Sequence, residues 1–193
     1  PCALAGGAAA LLALLLPRWN PTLDSAGLYL YAGIRHRHQS VDDIVANREL
    51  LFYREGIHGT VAVTRERDRG DNPGLNYAMN GKVEGSTYES DMFTQTRVCE
   101  IPLALSPREP QEVFLLGLGT GISLASLLRF PVARVDLLEL SPEVIEVAAE
   151  YFRDYNNGCM SDPRVNLIRE DGRTFLTLTE RIYDVVISEP SNP

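Results

Sequence analysis

The hydrophobic pattern of the chain is clearest around Val113–Leu116, an apolar run without charge or proline. Such a run is typical of a strand that is buried on both faces of a sheet. It leads into a turn with Gly117, Gly119 and Gly121, where a ligand can approach backbone amides that a side chain would screen. The apolar and small residues Ile122–Phe130 predict a helix whose N-terminus faces that ligand. The pattern therefore indicates a strand, a ligand-binding turn and a helix.

Three more strands are predicted downstream of this unit. They are the apolar runs Arg134–Leu140, Val165–Arg169 and Tyr183–Ile187, and the segments between them predict helices. Ser141-Pro142 is a strong helix start, because Ser caps the first turn and Pro fits the first helical position. Strands that alternate with helices predict a parallel sheet with right-handed crossovers. We therefore assign residues 110–193 to a Rossmann-like, doubly wound α/β domain that is cut off after its fourth strand.

An antiparallel pattern precedes this domain. The segments Leu50–Glu55, Gly59–Arg65 and Leu75–Val83 are rich in Val, Tyr, Phe and Thr and are separated by turn residues. They predict a three-stranded meander. We interpret Tyr88–Leu105 as a polar crossover into the α/β domain, with some of its polar side chains lining a pocket. Residues 48–109 thus form a small N-terminal β domain and its crossover.

The N-terminal segment is the most apolar part of the chain. Residues 2–16 carry no charge, but as a helix they would span roughly 22 Å, short of the ~30 Å hydrocarbon core of a bilayer. We interpret residues 1–19 as the end of a transmembrane helix whose beginning is missing; a buried soluble helix is the alternative. Residues 20–47 form a connector, and its basic cluster 35–38 suits an anionic cytoplasmic leaflet. The sequence thus predicts a fragment of a membrane-attached protein with its catalytic domain in the cytoplasm.

Composition and charge narrow the class of partner. Hydrophobic residues make up 45% and charged residues 23%, as in ordinary globular proteins. The net charge of −8 disfavours nucleic acid, which requires a basic surface, and is compatible with a cationic substrate. The three cysteines and three histidines show no metal-ligand spacing, so no metal is expected, and a reducing compartment is indicated.

Two acidic residues stand at strand ends where a nucleotide site needs them. Glu139 ends the second strand, about 20 residues past the glycine turn, where a carboxylate can accept both hydroxyl hydrogens of a ribose. Asp171 follows the third strand and suits an adenine amino group. Taken alone, each acid fits a solvated strand end better than a ligand site, but the glycine turn and the two acids at three successive strand ends together predict an adenosyl cofactor. The predicted cofactor-binding residues are Gly117, Gly119, Thr120, Gly121, Glu139, Leu140, Asp171 and Gly172.

Seven segments together resemble the polyamine aminopropyltransferases, or spermidine synthases, and more closely their bacterial branch in which this domain follows transmembrane helices. The resemblance runs from about Glu49 to Pro193. The segments are Asn80–Lys82, Asp91–Gln95, Gly117–Gly121, Glu139–Val144, Asp162–Val165, Asp171–Arg173 and Tyr183–Pro193. The resemblance implies transfer of the aminopropyl group of decarboxylated S-adenosylmethionine to a diamine such as putrescine, with methylthioadenosine leaving and no metal. It is compatible with a homodimer.

The resemblance also implies roles for individual residues. The family places its catalytic acid after the fourth strand in a D-x-x-D-P pattern, and the matching residues here are Glu189 and Asn192. Glu189 therefore takes the position of the base that deprotonates the attacking amine. Asn192 takes that of the second acid. Gln95 falls near the family's substrate-gating tyrosine, and with Asp91 and Asn192 it is assigned to the polyamine site.

Two departures from the family pattern keep other reactions open. The family's glycine turn carries an Asp that repels the carboxylate of intact S-adenosylmethionine, and Thr120 occupies that place here. Asn192 removes a second negative charge from the diamine pocket. The alternatives are therefore methyl or aminocarboxypropyl transfer from intact S-adenosylmethionine, or a non-catalytic nucleotide-sensing domain of a membrane transporter.

Overall fold

The computed structural model describes residues 19–34, 38–67 and 73–189. Within that part of the chain, no helix is both long enough and apolar enough to cross a membrane. The membrane helix predicted for residues 1–19 falls almost entirely on residues 1–18, which lie outside the described ranges. Most of the basic cluster, residues 35–37, lies outside them too.

The described residues of the connector, 20–34 and 38–47, contain three short helices near the first sheet. They are α1 (Pro21–Asp24), α2 (Leu28–Tyr31) and α3 (Val41–Ala46). Ser40 and Asp43 form a capping box at the start of α3, in which each side chain accepts from the other's backbone N–H. The hydroxyl of Tyr53 donates to Asp24 at 2.9 Å, and that of Tyr29 donates to the Asn80 carbonyl at 2.9 Å. These bonds fix the connector to the β domain.

The first sheet is antiparallel and has four strands, one more than the sequence predicted. They are β1 (Arg48–Gly56), β2 (Gly59–Glu66), β3 (Leu75–Met79) and β4 (Lys82–Ser86), in that spatial order. The single strand predicted at Leu75–Val83 was wrong, because Asn80 and Gly81 adopt positive φ angles of 50° and 76°. Two consecutive positive φ angles are those of a type I′ turn, which joins the strands of a tight hairpin.

The predicted polar crossover is a helix, α4 (Glu89–Ala104). Its apolar residues do not lie on one face: Cys99 and Leu103 are buried, whereas Phe93, Val98 and Ile101 are exposed. A helix without a single apolar stripe gives no clear period in the sequence, so the pattern did not reveal it.

The second sheet is parallel and confirms the predicted strand and helix order. Its strands are β5 (Glu112–Leu116), β6 (Arg134–Leu138), β7 (Val165–Ile168) and β8 (Val185–Ser188). The intervening helices are α5 (Ile122–Leu127), α6 (Pro142–Glu150), α7 (Arg153–Asn156) and α8 (Gly172–Leu178), with a 3₁₀ turn at Cys159–Ser161. The spatial order β7-β6-β5-β8 places β5 between the two halves of the sheet. This is the switch point of a doubly wound fold, where ligands bind.

The two sheets share one apolar core, which runs from Val61 and Tyr77 of the first sheet to Leu115 and Leu137 of the second. Hydrogen bonds reinforce the contact. The Tyr151 hydroxyl donates to the Leu51 carbonyl at 3.1 Å. Two buried serines of α5, Ser123 and Ser126, donate to the Gln95 and Thr96 carbonyls of α4 at 2.9 and 3.1 Å. The β domain is therefore fixed over the carboxyl ends of the parallel strands.

Candidate active site

A cavity of about 490 Å³ lies at the switch point, between the carboxyl ends of the parallel strands and the antiparallel sheet above them. The sequence-predicted residues that line it are Gln95, Gly117, Gly119, Thr120, Glu139, Leu140, Asp171, Gly172 and Glu189. Gly121 and Asp91 do not line it, and Asn192 lies outside the described residues. Residues that are far apart in sequence therefore meet around one cavity.

The glycine turn forms one wall of this cavity. Gly119 has a φ of +51°, and a Cβ added there would meet nothing within 4 Å, so its backbone borders open space. Gly121 has a φ of +79°, and an added Cβ would lie 2.9 Å from Nδ2 of Asn156. That amide nitrogen donates to the Thr120 carbonyl at 2.9 Å. Gly119 is thus open to a ligand, whereas Gly121 serves the packing of the turn.

Glu139 holds the turn to the neighbouring strand. Its Oε2 accepts from the Leu118 backbone N–H at 3.1 Å, and its Oε1 accepts from the Ser141 N–H at 2.9 Å. Each carboxylate oxygen has two lone pairs. Glu139 can therefore keep both bonds and still accept the hydroxyl hydrogens of a ribose.

Asp171 lies at the mouth of the cavity, where it caps α8. Its Oδ1 accepts from the backbone N–H of Thr174 at 2.8 Å and from the Thr174 hydroxyl at 2.9 Å. The backbone bond and then the hydroxyl bond lower the pKa of Asp171. The carboxylate thus stays ionised and oriented beside Gly172, which packs against Leu116.

Gln95 lines the cavity and is held on three sides. The Thr120 hydroxyl donates to its Oε1, and its Nε2 donates to the Ser86 carbonyl at 2.9 Å and to Asp91 Oδ2 at 3.2 Å. Asp91 Oδ2 also accepts from the Ser86 hydroxyl at 2.8 Å. Asp91, predicted to bind substrate, is placed instead behind Gln95, because its carboxylate is engaged by these two side chains.

Glu189 follows β8 and lines the cavity beside the glycine turn. Its backbone N–H donates to the Leu116 carbonyl at 2.9 Å, and its Oε1 lies 3.9 Å from Sγ of Cys99. Burial raises the pKa of its carboxyl to about 7, and the Ser123 hydroxyl and the Cys99 thiol oppose the shift. A carboxyl with this pKa can accept a proton near neutral pH and release it again.

Several wall residues escaped the sequence analysis. They are Tyr77, Met79 and Glu84 of the β3–β4 hairpin, Ser123 of α5, and Glu170 and Arg173 near α8. The Asn80-Gly81 dipeptide was the available signal for the hairpin, because it is typical of type I′ turns. Nothing in the local sequence indicated that the hairpin covers the parallel sheet.

The described wall is rich in negative charge. Five carboxylates line it, those of Glu84, Glu139, Glu170, Asp171 and Glu189, together with the guanidinium of Arg173. This balance favours a cationic ligand. Among the described residues, no group of three or more His, Cys, Asp or Glu side chains could hold a metal ion.

The chain is similar to known proteins of one family. The family described as "Spermine/spermidine synthase domain" matches residues 91–193. The polyamine aminopropyltransferase of Saccharolobus islandicus is 30% identical over 121 residues, which are 62% of this chain and 40% of that protein. That of Korarchaeum cryptofilum is 35% identical over 106 residues, 55% of this chain and 32% of the relative. The chain thus spans less than half the length of these curated relatives.

Solved structures show the same fold. A spermidine synthase in complex with the transition-state analogue AdoDATO superposes with a TM-score of 0.66 at 21% identity, covering 75% of this chain and 47% of the other. The spermidine synthase of Thermotoga maritima gives a TM-score of 0.65 at 22% identity, with the same coverage. The family match extends over more than half of the chain and includes the glycine turn, Glu139, Asp171 and Glu189. The chain therefore belongs to the spermine/spermidine synthase family.

Proposed function

We propose that this chain carries the cofactor-binding part of a polyamine aminopropyltransferase, which uses decarboxylated S-adenosylmethionine as co-substrate and a diamine such as putrescine as acceptor. The observation that carries the proposal is the position of Glu189, a mostly buried carboxyl beside the glycine turn in the cavity wall, with a pKa of about 7. The membership in the family and the names of the relatives support it.

The cavity residues fit an adenosyl ligand. Open space beside Gly119 leaves the backbone of the turn accessible, and Glu139 has lone pairs for two ribose hydroxyls. Asp171 is oriented at the strand end next to it, suited to the adenine side. These residues would hold the adenosyl part and leave the sulfonium and its aminopropyl chain between Thr120 and Glu189.

The proposed reaction is a direct displacement at the aminopropyl carbon that is bound to sulfur. An alkylammonium acceptor has a pKa near ~10, so it must lose a proton before it can attack. Glu189 takes that proton; the nitrogen lone pair then forms the new C–N bond. The C–S bond breaks, its electron pair stays on sulfur, and neutral methylthioadenosine leaves. A base near the reacting nitrogen typically contributes about 10²–10⁴-fold to such a step.

Intact S-adenosylmethionine as the donor is the second candidate, and Thr120 favours it. Its uncharged side chain, only 3% exposed, donates to Gln95 and cannot repel a carboxylate. A methyl or aminocarboxypropyl transfer would follow. A non-catalytic nucleotide-sensing role is less well supported, because such a role does not require a carboxyl group with a raised pKa at the position of Glu189.

The test is an assay of the full-length protein with each donor and a panel of diamines. We expect decarboxylated S-adenosylmethionine to yield methylthioadenosine and an aminopropylated amine in equal amounts, detected by mass spectrometry. Transfer from the intact cofactor alone would establish the second candidate. Tight binding of methylthioadenosine without turnover of either donor would establish a sensor.

Membrane attachment through residues 1–19, with the catalytic domain facing the cytoplasm, is part of this proposal. It is supported by the uncharged run 2–16 and by the basic cluster that follows it. Co-flotation of the full-length protein with anionic vesicles, and its loss after deletion of residues 1–19, would test the attachment.

A further inference from the structure

Glu84 is a carboxylate of the cavity that the proposed reaction has not yet used. It lies on β4, lines the cavity, and exposes only 9% of its side chain. Glu139, Asp171 and Glu189 follow strands of the parallel sheet and are assigned in the proposed function to the ribose, the adenine and the acceptor amine. Glu84 comes from the opposite wall, which the antiparallel sheet forms.

A β-bulge directs this side chain. Tyr77 pairs with Gly85, whereas the next residue, Ala78, pairs with Val83, so Glu84 is left as the extra residue between them. A bulge of this kind changes the direction of a side chain and is common next to active sites. Glu84 therefore has no regular cross-strand partner at the position where its side chain lines the cavity.

The bulge lies against the glycine turn. A Cβ added to Gly85 would be only 2.8 Å from Cγ2 of Thr120 and 3.3 Å from Oε1 of Gln95. The residue next to Glu84 therefore touches the residue that occupies the middle of the turn. Glu84 and the uncharged Thr120 thus line the same cavity, and the residue next to Glu84 lies against Thr120.

The Glu84 carboxylate forms an ion pair with an ammonium group of the chain itself, that of Lys82. Nζ of Lys82 lies 3.3 Å from its Oε1, and the Lys82 side chain is 30% exposed at the edge of the sheet. Burial, and after it the charges of Glu139 and Glu84, raise the pKa of the Tyr77 phenol. Glu139 and Glu84 thus act on the same tyrosine, which links the ribose end of the cavity to the bulge.

We propose that Glu84 holds the primary ammonium at the end of the group to be transferred, and that it thereby selects the decarboxylated cofactor over intact S-adenosylmethionine. This inference rests on the proposed function. A carboxylate at this place attracts the ammonium and repels the additional carboxylate of the intact cofactor. Glu84 would supply from the β domain the charge that the glycine turn lacks at Thr120.

Isothermal titration of the full-length protein tests this assignment with methylthioadenosine, decarboxylated S-adenosylmethionine and the intact cofactor. We expect Glu84→Gln to weaken binding of the decarboxylated cofactor by about tenfold to a hundredfold, as for the loss of a charge-assisted hydrogen bond. Binding of methylthioadenosine, which has no ammonium, should stay unchanged and also reports that the variant is folded. Glu84→Asp keeps the charge, and its affinity for the decarboxylated cofactor should lie between those of the wild type and Glu84→Gln.

The control is Glu49→Gln. It removes a carboxylate of the same sheet whose partner, Arg65, lies at a similar distance of 3.4 Å, but it is not in the cavity wall. Binding of all three ligands should be unaffected in this variant. It thus separates the effect of the cavity carboxylate from a general loss of charge in the sheet.

Three results would overturn the assignment. If Glu84→Gln binds the decarboxylated cofactor as tightly as wild type does, Glu84 does not hold the ammonium, and the proposed function is untouched. If only the KM for the diamine rises, Glu84 serves the acceptor instead. If the wild-type protein binds neither methylthioadenosine nor the decarboxylated cofactor, the proposed function itself fails and the assignment fails with it.

Discussion

The carboxylate of Glu139 accepts a hydrogen bond from the backbone N–H of Leu118 at 3.1 Å, which ties the tip of β6 to the glycine turn after β5. Its other oxygen accepts from the N–H of Ser141, at the start of α6. Glu139, which is proposed to bind the ribose, thus also stabilises the structure of the site. Removing it should affect both ligand binding and the shape of the turn.

We predict that Glu139→Gln weakens methylthioadenosine binding by about 1–3 kcal/mol and lowers the melting temperature. The amide has one acceptor atom where the carboxylate has two, so one of the bonds to Leu118 and Ser141 must break. Titration calorimetry and thermal melting measure the two effects. Glu150→Gln, at the exposed end of α6, is the control and should change neither. Unaltered affinity for methylthioadenosine in a folded Glu139→Gln protein would show that Glu139 does not bind the ribose.

Two glycines of the same turn should respond differently to alanine. Gly121→Ala places a Cβ 2.9 Å from the Asn156 amide, so we expect it mainly to lower thermal stability. The Cβ of Gly119→Ala would meet no protein atom within 4 Å. An alanine in the left-handed conformation costs roughly 1–2 kcal/mol of stability, and beyond that cost we expect the variant mainly to obstruct the ligand. Melting temperature and methylthioadenosine affinity of both variants are the measurements. Equal losses of affinity at both positions would contradict this division.

Asp91 provides a test of positioning against direct substrate contact. Asn at this position can still accept from Gln95 or Ser86, whereas Ala cannot. We therefore predict that Asp91→Asn keeps the diamine KM within about threefold of wild type and that Asp91→Ala raises it by about tenfold, the cost of one lost hydrogen bond. If Asp91 bound the ammonium by its charge, Asn and Ala would be equally harmful, which is the result that would restore the sequence-based assignment.

The parallel sheet could be predicted from the sequence because its signals are local. A charge-free run such as Val113–Leu116, a capping Ser141 followed by Pro142, and the acids Glu139 and Asp171 at the ends of the second and third strands can all be identified without knowledge of the tertiary contacts. The fixed order of a doubly wound sheet then brings these strand ends together. For this reason the residues predicted at the glycine turn, at Glu139 and at Asp171 line one cavity, with the exception of Gly121. Glu189, which the family resemblance assigned, lines the same cavity.

The remaining wall could not be predicted because it depends on how one sheet covers the other. Glu84 lines the cavity at a bulge of β4, where Gly85 lies against Thr120. Neither the bulge nor this contact produces a periodic pattern of hydrophobic and polar residues in the sequence. The position of Asp91 behind Gln95 could not be predicted for a related reason: Ser86 and Gln95 donate hydrogen bonds to its carboxylate, and such a network follows from tertiary packing rather than from composition.

The raised pKa of Glu189 predicts a dependence of stability on pH. Burial raises it from 4.5 in an unfolded chain to about 7, so the folded protein binds the proton more tightly. The resulting stabilisation is fully present below about pH 4.5 and is lost as the pH rises through about 7. We expect Glu189→Gln, which cannot ionise, to gain about 2–3 kcal/mol relative to wild type between pH 5 and pH 8. Denaturant unfolding at the two pH values measures this, and a constant difference would contradict the shift.

The final prediction concerns the rate of transfer at the same residue. Because Glu189 must be deprotonated to accept a proton from the amine, the wild-type rate should rise with pH through about 7. Glu189→Gln should bind methylthioadenosine normally but lose about 10²–10⁴-fold in kcat, since an amide cannot accept that proton. Its remaining rate should lack the rise near pH 7 and increase only toward pH ~10, where the free amine becomes abundant without a base. Single-turnover rates at saturating diamine from pH 5 to pH 10 measure both profiles. If the variant transfers as fast as wild type at pH 7 and at pH 9, another group deprotonates the acceptor and the proposed mechanism is wrong.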